Sequence, residues 1–187
     1  LNNSLTMTED TTFSGAVTIG GNITISTGTG TLTFGSTVSG GANDFTLEAD
    51  ELQINDNVSG TGTLTMQPFT PSRGVDLAQT EGSTPGDPTA GIFDLTANEL
   101  GRVQNGFTLV NIGRDPLNNP GTGAMRAVNG TVFSDPLDLR MSGTGEYVDR
   151  SRGHLDRLPP KDPVGPPRRK RLHVLDHRLH LAIRQLR

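Results

Sequence analysis

The sequence predicts an all-β fold: a parallel β-helix (β-solenoid) of short strands stacked coil upon coil, with one short inserted helix near 97–105. Three observations predict it. Apolar residues recur two apart in brief triplets, a tripeptide returns after 20 residues, and the composition lacks the bulk for a wide core. Hydrophobic residues make up 32% of the 187 residues and aromatics 4%, with no Trp and one Tyr, while Gly reaches 24. That leaves a disordered chain or a narrow column of Val, Ile, Leu and Thr.

The triplets decide between those two. Val17-Thr-Ile19, Ile23-Thr-Ile25, Leu32-Thr-Phe34, Phe45-Thr-Leu47, Leu52-Gln-Ile54 and Leu64-Thr-Met66 all place a polar residue between apolar ones. Period two sends the apolar pair to one face of a strand and the polar residue to the other. Thr and β-branched residues suit that pleated surface, and Gly, Asn, Asp and Ser punctuate the strands.

Repeats set the architecture. Val38-Ser-Gly40 returns as Val58-Ser-Gly60, and Gly28-Thr-Gly-Thr-Leu-Thr-Phe34 returns as Gly60-Thr-Gly-Thr-Leu-Thr-Met66. A looser echo pairs Thr11–Ile19 with Thr131–Leu139. A 20-residue return of short strands fits one coil of a parallel β-helix, whose apolar face is buried only by neighbouring coils. About seven coils at ~4.8 Å each would make a rod of roughly 34 Å. An antiparallel sandwich or barrel also has short strands and glycine turns. It calls for hairpin signals, yet Asn-Gly occurs only at Asn105-Gly106 and Asn129-Gly130.

Residues 68–90 are rich in turn formers and read as a looped excursion, the natural contact surface of the rod. Beyond it, Thr96-Ala-Asn-Glu99 is a capping-box pattern with Leu95 and Leu100 at the staple positions. Leu100 and Val103 face inward, Gly106 fits the position just past the helix end, and a strand follows over Phe107–Ile112.

At these residues the chain resembles filamentous-haemagglutinin-like large exoproteins, repetitive surface proteins of Gram-negative bacteria and cyanobacteria. The matching stretches are Leu64–Leu77, Phe93–Arg114 and Asn129–Arg140, within a resemblance that covers roughly residues 1–145. It implies a right-handed parallel β-helix, export across the outer membrane with a transporter partner, an extracellular or cell-surface location, and adhesion or display. The partners it implies are neighbouring repeats of the same polypeptide and host-cell or matrix glycans and proteins. It carries no catalytic motif, so the chain is read as a non-enzymatic structural or adhesive segment. A β-helix polysaccharide-active enzyme or lectin is the alternative, and carboxylates with an arginine lining one sheet face would favour it.

Charge divides the chain near Glu146. Residues 1–146 hold 5 Arg, no Lys and 16 acidic residues, for a net charge of −11, whereas residues 147–187 hold 11 basic and 4 acidic residues, for +7. All four histidines and almost no glycine lie in this basic, Pro- and Arg-rich tail, which reads as an out-of-frame or degraded end, or else a basic linker. Leu172, Leu175, Leu179, Ile183 and Leu186 keep helical spacing, marking a lone helix over about 170–186. Leu1 is not a start methionine, which suits an internal fragment, and the lack of cysteine excludes disulfides and thiolate metal sites.

Candidate chemistry is sparse. His173, His177 and His180 share one face of the tail helix in metal-ligand spacing, and Arg168–Arg171 forms a basic run. Solvated side chains are the simpler reading of both, so neither a metal nor nucleic acid is assigned. Asp44, Glu48, Asp50 and Glu51 cluster in sequence, but without the repeated Gly/Asp spacing of calcium-binding coils. They read as solvated loop and outer-face carboxylates. Residues 1–146 contain no histidine, and the chain has no phosphate loop followed by Lys. No catalytic, cofactor or metal residue is assigned, and no cofactor is expected.

Overall fold

The computed structural model describes residues 1–78, 92–127 and 133–140, together with the backbone of 147–149. It is a parallel β-solenoid, as the triplets and the 20-residue return indicate. The first three coils are regular. Each contributes one strand to each of three sheets: β1 (Leu5–Thr6), β2 (Thr11–Phe13) and β3 (Val17–Thr18); β4 (Ile23–Ser26), β5 (Thr31–Phe34) and β6 (Val38–Ser39); β7 (Phe45–Glu48), β8 (Glu51–Ile54) and β9 (Val58–Ser59). Then follow β10 (Thr63–Gln67), β11 (Gly74–Leu77), β12 (Ile92–Leu95), helix α1 (Ala97–Arg102), β13 (Leu109–Ile112), β14 (Met125–Ala127), β15 (Leu137–Leu139) and β16 (Tyr147–Asp149). All the pairings among these strands are parallel. The longest sheet runs β1-β4-β7-β10-β13-β15. Its six rungs among the described residues compare with the seven coils expected from the sequence.

Registered stacking makes the core. Ile25, Leu47, Met66 and Ile112 lie rung over rung in the first sheet, as do Ile23, Phe45, Leu64, Val110 and Leu137. In the second sheet Leu32 meets Leu52, and Phe34 meets both Phe13 and Ile54. The Phe13 and Phe34 rings stack with centroids 5.4 Å apart. Ile25, Leu47, Leu64, Met66 and Ile112 are all 0% exposed. The residues between them form outward ladders, one of which passes through Thr24, Thr46, Thr65, Asn111 and Asp138. In it the Asn111 side-chain amide donates to the Thr65 hydroxyl at 3.1 Å.

Corners are held the same way from coil to coil. A polar side chain just before a strand accepts a backbone N–H from the coil above: Thr24 N–H donates to Ser4, Asp44 N–H to Asn22, Thr63 N–H to Asp44 and Thr31 N–H to Asp10. Turn N–H groups that no ladder can reach are thereby satisfied. The sequence separations of 20, 22, 19 and 21 residues are the coil lengths.

The Val-Ser-Gly repeat is a true stack, with Val38 on Val58 and Ser39 on Ser59. Its glycines make room for phenylalanines. A Cβ at Gly40 would lie 2.3 Å from the Phe45 ring, and one at Gly60 2.8 Å from the Phe107 ring. The other two echoes mislead. Thr31–Phe34 lies in the second sheet and Thr63–Met66 in the first. Val17 lies in the third sheet, while its echo partner Leu137 lies in the first. A triplet encodes a strand with an inside and an outside, not the sheet that receives it.

Close backbone stacking gives a sharp test. A Cβ on Gly62 would lie 2.3 Å from the Asn43 carbonyl oxygen, which is backbone and cannot swing away. Gly62→Ala should cost about 1–3 kcal/mol in urea unfolding. Gly101→Ala, on α1 with open space around it, should instead add about 0.5–1 kcal/mol.

The fourth coil departs from the regular pattern, and here the looped excursion needs correction. Residues 74–77 form β11, paired with β12 on one side and β14 on the other. β12 lies against β8. The chain therefore places β11 one rung too far and returns to fill the gap with β12. Residues 79–91 between them lie outside the described residues. Val103 then bridges Val58, continuing the third face, and Leu64 receives Val110 in the first sheet.

α1 carries the expected capping box: the Glu99 N–H donates to the Thr96 hydroxyl, and the Glu99 carboxylate accepts from Thr96. Leu100 is buried. The helix stops at Arg102, short of 105, because Val103 turns extended to join Val58. Gly106 therefore does not cap it. At φ +138° it forms the following corner, where it and Phe107 donate backbone N–H groups to the Asp135 carboxylate. The strand expected over Phe107–Ile112 begins at Leu109.

The parallel pairing continues past the expected boundary at 146, because β16 pairs with β14. The remaining tail, with its histidines, its basic run and its expected helix, lies outside the described residues. A chain ending at Asp149 should keep its β-sheet circular dichroism, and loss of that signal would show that the tail supports the fold.

Candidate functional site

The four clustered carboxylates part company in three dimensions. Asp44 is exposed at a corner, accepting from the Thr63 N–H at 2.6 Å. Glu48 accepts from the Ser26 hydroxyl and the Gln67 amide, partners set beside it by the first-sheet register. Asp50 accepts from both the N–H and the hydroxyl of Thr70 and pairs with Arg73 at 3.2 Å. Asp50 is only 3% exposed and Glu51 7%, so the reading of solvated carboxylates fails for both. Strand β8 begins at Glu51, and the next rung closes over it.

Glu51 belongs to a second, unforeseen cluster. On the outer faces of β8, β12, β11 and β14 lie Glu51, Asp94, Asp76 and Arg126, with Glu99 from α1 and Arg73 nearby. Asp76 and Asp94 sit directly opposite across the β11–β12 ladder, an arrangement in which two like charges repel. Arg126, the Asp76 partner on β14, relieves it with a 2.8 Å ion pair. Asp94 has no such cation. Burial, with Asp76 adding to it, pushes its pKa up to about 6. Burial raises Glu51 further, to about 8; Glu99 and Asp94 add to that, while Arg73 and the Asp94 N–H oppose it. Glu99 is also raised, again chiefly by burial.

At neutral pH Glu51 is therefore mostly protonated and Asp94 mostly ionised. An acid beside a base is the pairing that glycan hydrolysis uses. That chemistry requires the substrate to touch both groups, and Asp94 and Glu51 are 5% and 7% exposed. Each keeps one carboxylate oxygen without a partner among the described residues. Those residues include no group of three or more His, Cys, Asp or Glu side chains placed to share a metal ion.

The sequence did hold a signal for this cluster. Val75-Asp76-Leu77 and Phe93-Asp94-Leu95 are twin triplets with an aspartate in the outward position, and their direct pairing is what sets the two charges side by side.

Two neighbouring loops are knit together at one corner. The Arg114 guanidinium donates to the carbonyls of Pro68 and Phe69 and to the Asn119 side chain, and Thr122 N–H donates to the Pro71 carbonyl. Asp115 accepts from Leu117 N–H and the Asn118 amide, which hold its pKa below the usual value. Phe69 and Leu117 are 40% and 54% exposed on these loops, apolar surface presented on an ordered support. No family model, curated protein or solved structure matches the chain.

Proposed function

We propose that the chain is a structural or adhesive segment of an exported bacterial surface protein, a stiff β-rod that carries its contact residues on corner loops. The observation that carries this reading is the unbroken apolar column, from Ile23 through Phe45, Leu64 and Val110 to Leu137, with the exposed Phe69 and Leu117 held on ordered loops beside it. A stack of rungs resists bending because each rung is hydrogen-bonded to both neighbours. The resemblance to filamentous-haemagglutinin-like exoproteins supports the same reading. Neighbouring repeats, host-cell or matrix glycans and proteins, and an outer-membrane transporter during export are the partners it brings. Beads coated with the chain should adhere to epithelial cells or extracellular matrix, and Phe69→Ser with Leu117→Ser should reduce adhesion with no change in unfolding. Equal adhesion by the double variant would remove the loops from the account.

One observation favours the second reading, a polysaccharide-active enzyme or lectin: the outer face that carries Glu51, Asp94 and Asp76 beside Arg73 and Arg126. Turnover of any member of a panel of acidic glycans, abolished by Glu51→Gln, would replace the structural reading.

A further inference from the structure

A hollow of about 10 Å³ is lined in part by Arg73, Val75, Arg114, Gly121, Met125 and Arg140. Three of the five arginines in residues 1–146 meet there, in a stretch without lysine. Each has one carboxylate partner: Asp50 for Arg73 at 3.2 Å, Asp138 for Arg140 at 3.4 Å, and Glu48 for Arg114 at a loose 3.9 Å. These pairs leave the Nε–H groups of both Arg73 and Arg114 without an acceptor among the described residues. The Arg114 side chain is only 7% exposed. A buried cationic N–H that lacks an acceptor is costly, so the hollow is suited to an electron-rich oxygen.

We propose that this hollow seats a carboxylate group of an acidic ligand, one oxygen of which accepts from the Nε–H groups of Arg73 and Arg114. Its size selects the chemistry. It has room for about one water-sized atom, so a flat carboxylate enters it edge-on where a tetrahedral sulfate or phosphate does not. Guanidinium groups favour carboxylates for the same planar geometry. Arg140, with 22% of its side chain exposed, is the most open of the three and adds charge on the approach. The Arg114 guanidinium also holds the loop carbonyls of Pro68 and Phe69, so an occupied seat would tie the ligand to the displayed corner. A carboxylate could come from a free small acid or from a uronate sugar in a polymer.

The test uses the full chain. Sodium formate, sodium sulfate and sodium chloride are titrated at matched ionic strength while the arginine Nε–H resonances are followed by NMR, and a uronate trisaccharide is titrated in parallel. The seat predicts saturable shifts of the Arg73 and Arg114 Nε–H signals with formate alone among the three salts. Arg140→Gln should weaken formate about tenfold, with Arg126→Gln as the control that leaves it unchanged. Both variants should keep the wild-type circular dichroism. Tighter binding of the trisaccharide than of formate would assign the seat to a polymer, and equal binding to a free acid; both support it. Shifts that do not saturate, equal shifts with chloride, or wild-type formate affinity in Arg140→Gln and Arg73→Gln would overturn it. The seat does not depend on the adhesive reading. Formate binding without cell adhesion would sink that reading and leave the seat standing.

Discussion

Leu64→Asp should abolish cooperative folding of the solenoid, or lower its stability by about 4 kcal/mol or more if folding survives. Leu64 is 0% exposed and lies between Phe45 on one rung and Val110 on the next. The substitution loses the packing of a buried leucine, roughly 2–5 kcal/mol, and adds a charge with no partner in an apolar column. Thr65 is the matched comparison. It is next in sequence but points to the outer ladder, where it accepts from Asn111, and Thr65→Ala should cost only about 1 kcal/mol. Chemical unfolding followed by circular dichroism measures both. If Leu64→Asp unfolds at the wild-type denaturant concentration, residue 64 does not face the core and the stacking assignment is wrong.

The second large effect is a stability that declines toward alkaline pH. Glu51 has a folded pKa of about 8 against its usual 4.5. Below 4.5 the carboxyl is protonated whether the chain is folded or not, and its contribution is fully present. Between 4.5 and 8 only the unfolded chain gives up the proton, so stability falls as pH rises, and above 8 the loss is complete. Asp94 works in the same direction between 3.8 and about 6, and Glu99 is raised as well. Asp115 opposes them, since its lowered pKa favours the folded chain as pH rises, but it is solvated and its effect is small. The groups facing Glu51 are Asp94, Glu99 and Arg73, and only the last stabilises its anion. Stability should therefore fall by on the order of 3 kcal/mol between about pH 4 and pH 9. Glu51→Gln, which keeps the shape and removes the titration, should flatten most of the decline above pH 6. A wild-type melting temperature that is level or rises over that range would contradict the placement of Glu51 under β12.

Much of this was legible from local pattern. Every triplet that put Thr or Gln between apolar residues became a strand with those apolar residues inside, because alternation is a property of a single strand and needs no knowledge of its neighbour. The Thr96–Glu99 capping box was readable for the same reason: all of its hydrogen bonds lie within four residues. Val38 over Val58 was readable because the intervening coil has the regular length. Long-range register was not. Nothing near Gly74–Leu77 signals that β11 passes over a rung, or that Phe93–Leu95 comes back to occupy it. The pairing of Asp76 with Asp94, and the burial of Glu51 beside them, depend on that detour. The Gly-Thr-Gly-Thr-Leu-Thr echo failed as a coil marker because two of the three sheets accept the same triplet.

The detour of β11 and β12 also bears on the order in which the chain can assemble. Through Ser59 each new coil finds its template already complete, so a chain delivered from its N-terminus can zip up turn by turn. At Gly74–Leu77 that stops: β11 must wait, one edge bare, until Ile92–Leu95 arrives to join it to the growing stack. Asn111 meets Thr65 across 46 residues and Arg126 meets Asp76 across 50. Closing such long loops costs more entropy before any contact repays it. The fourth coil is thus a built-in pause, the point at which an emerging rod would stall or be captured by another chain's strand.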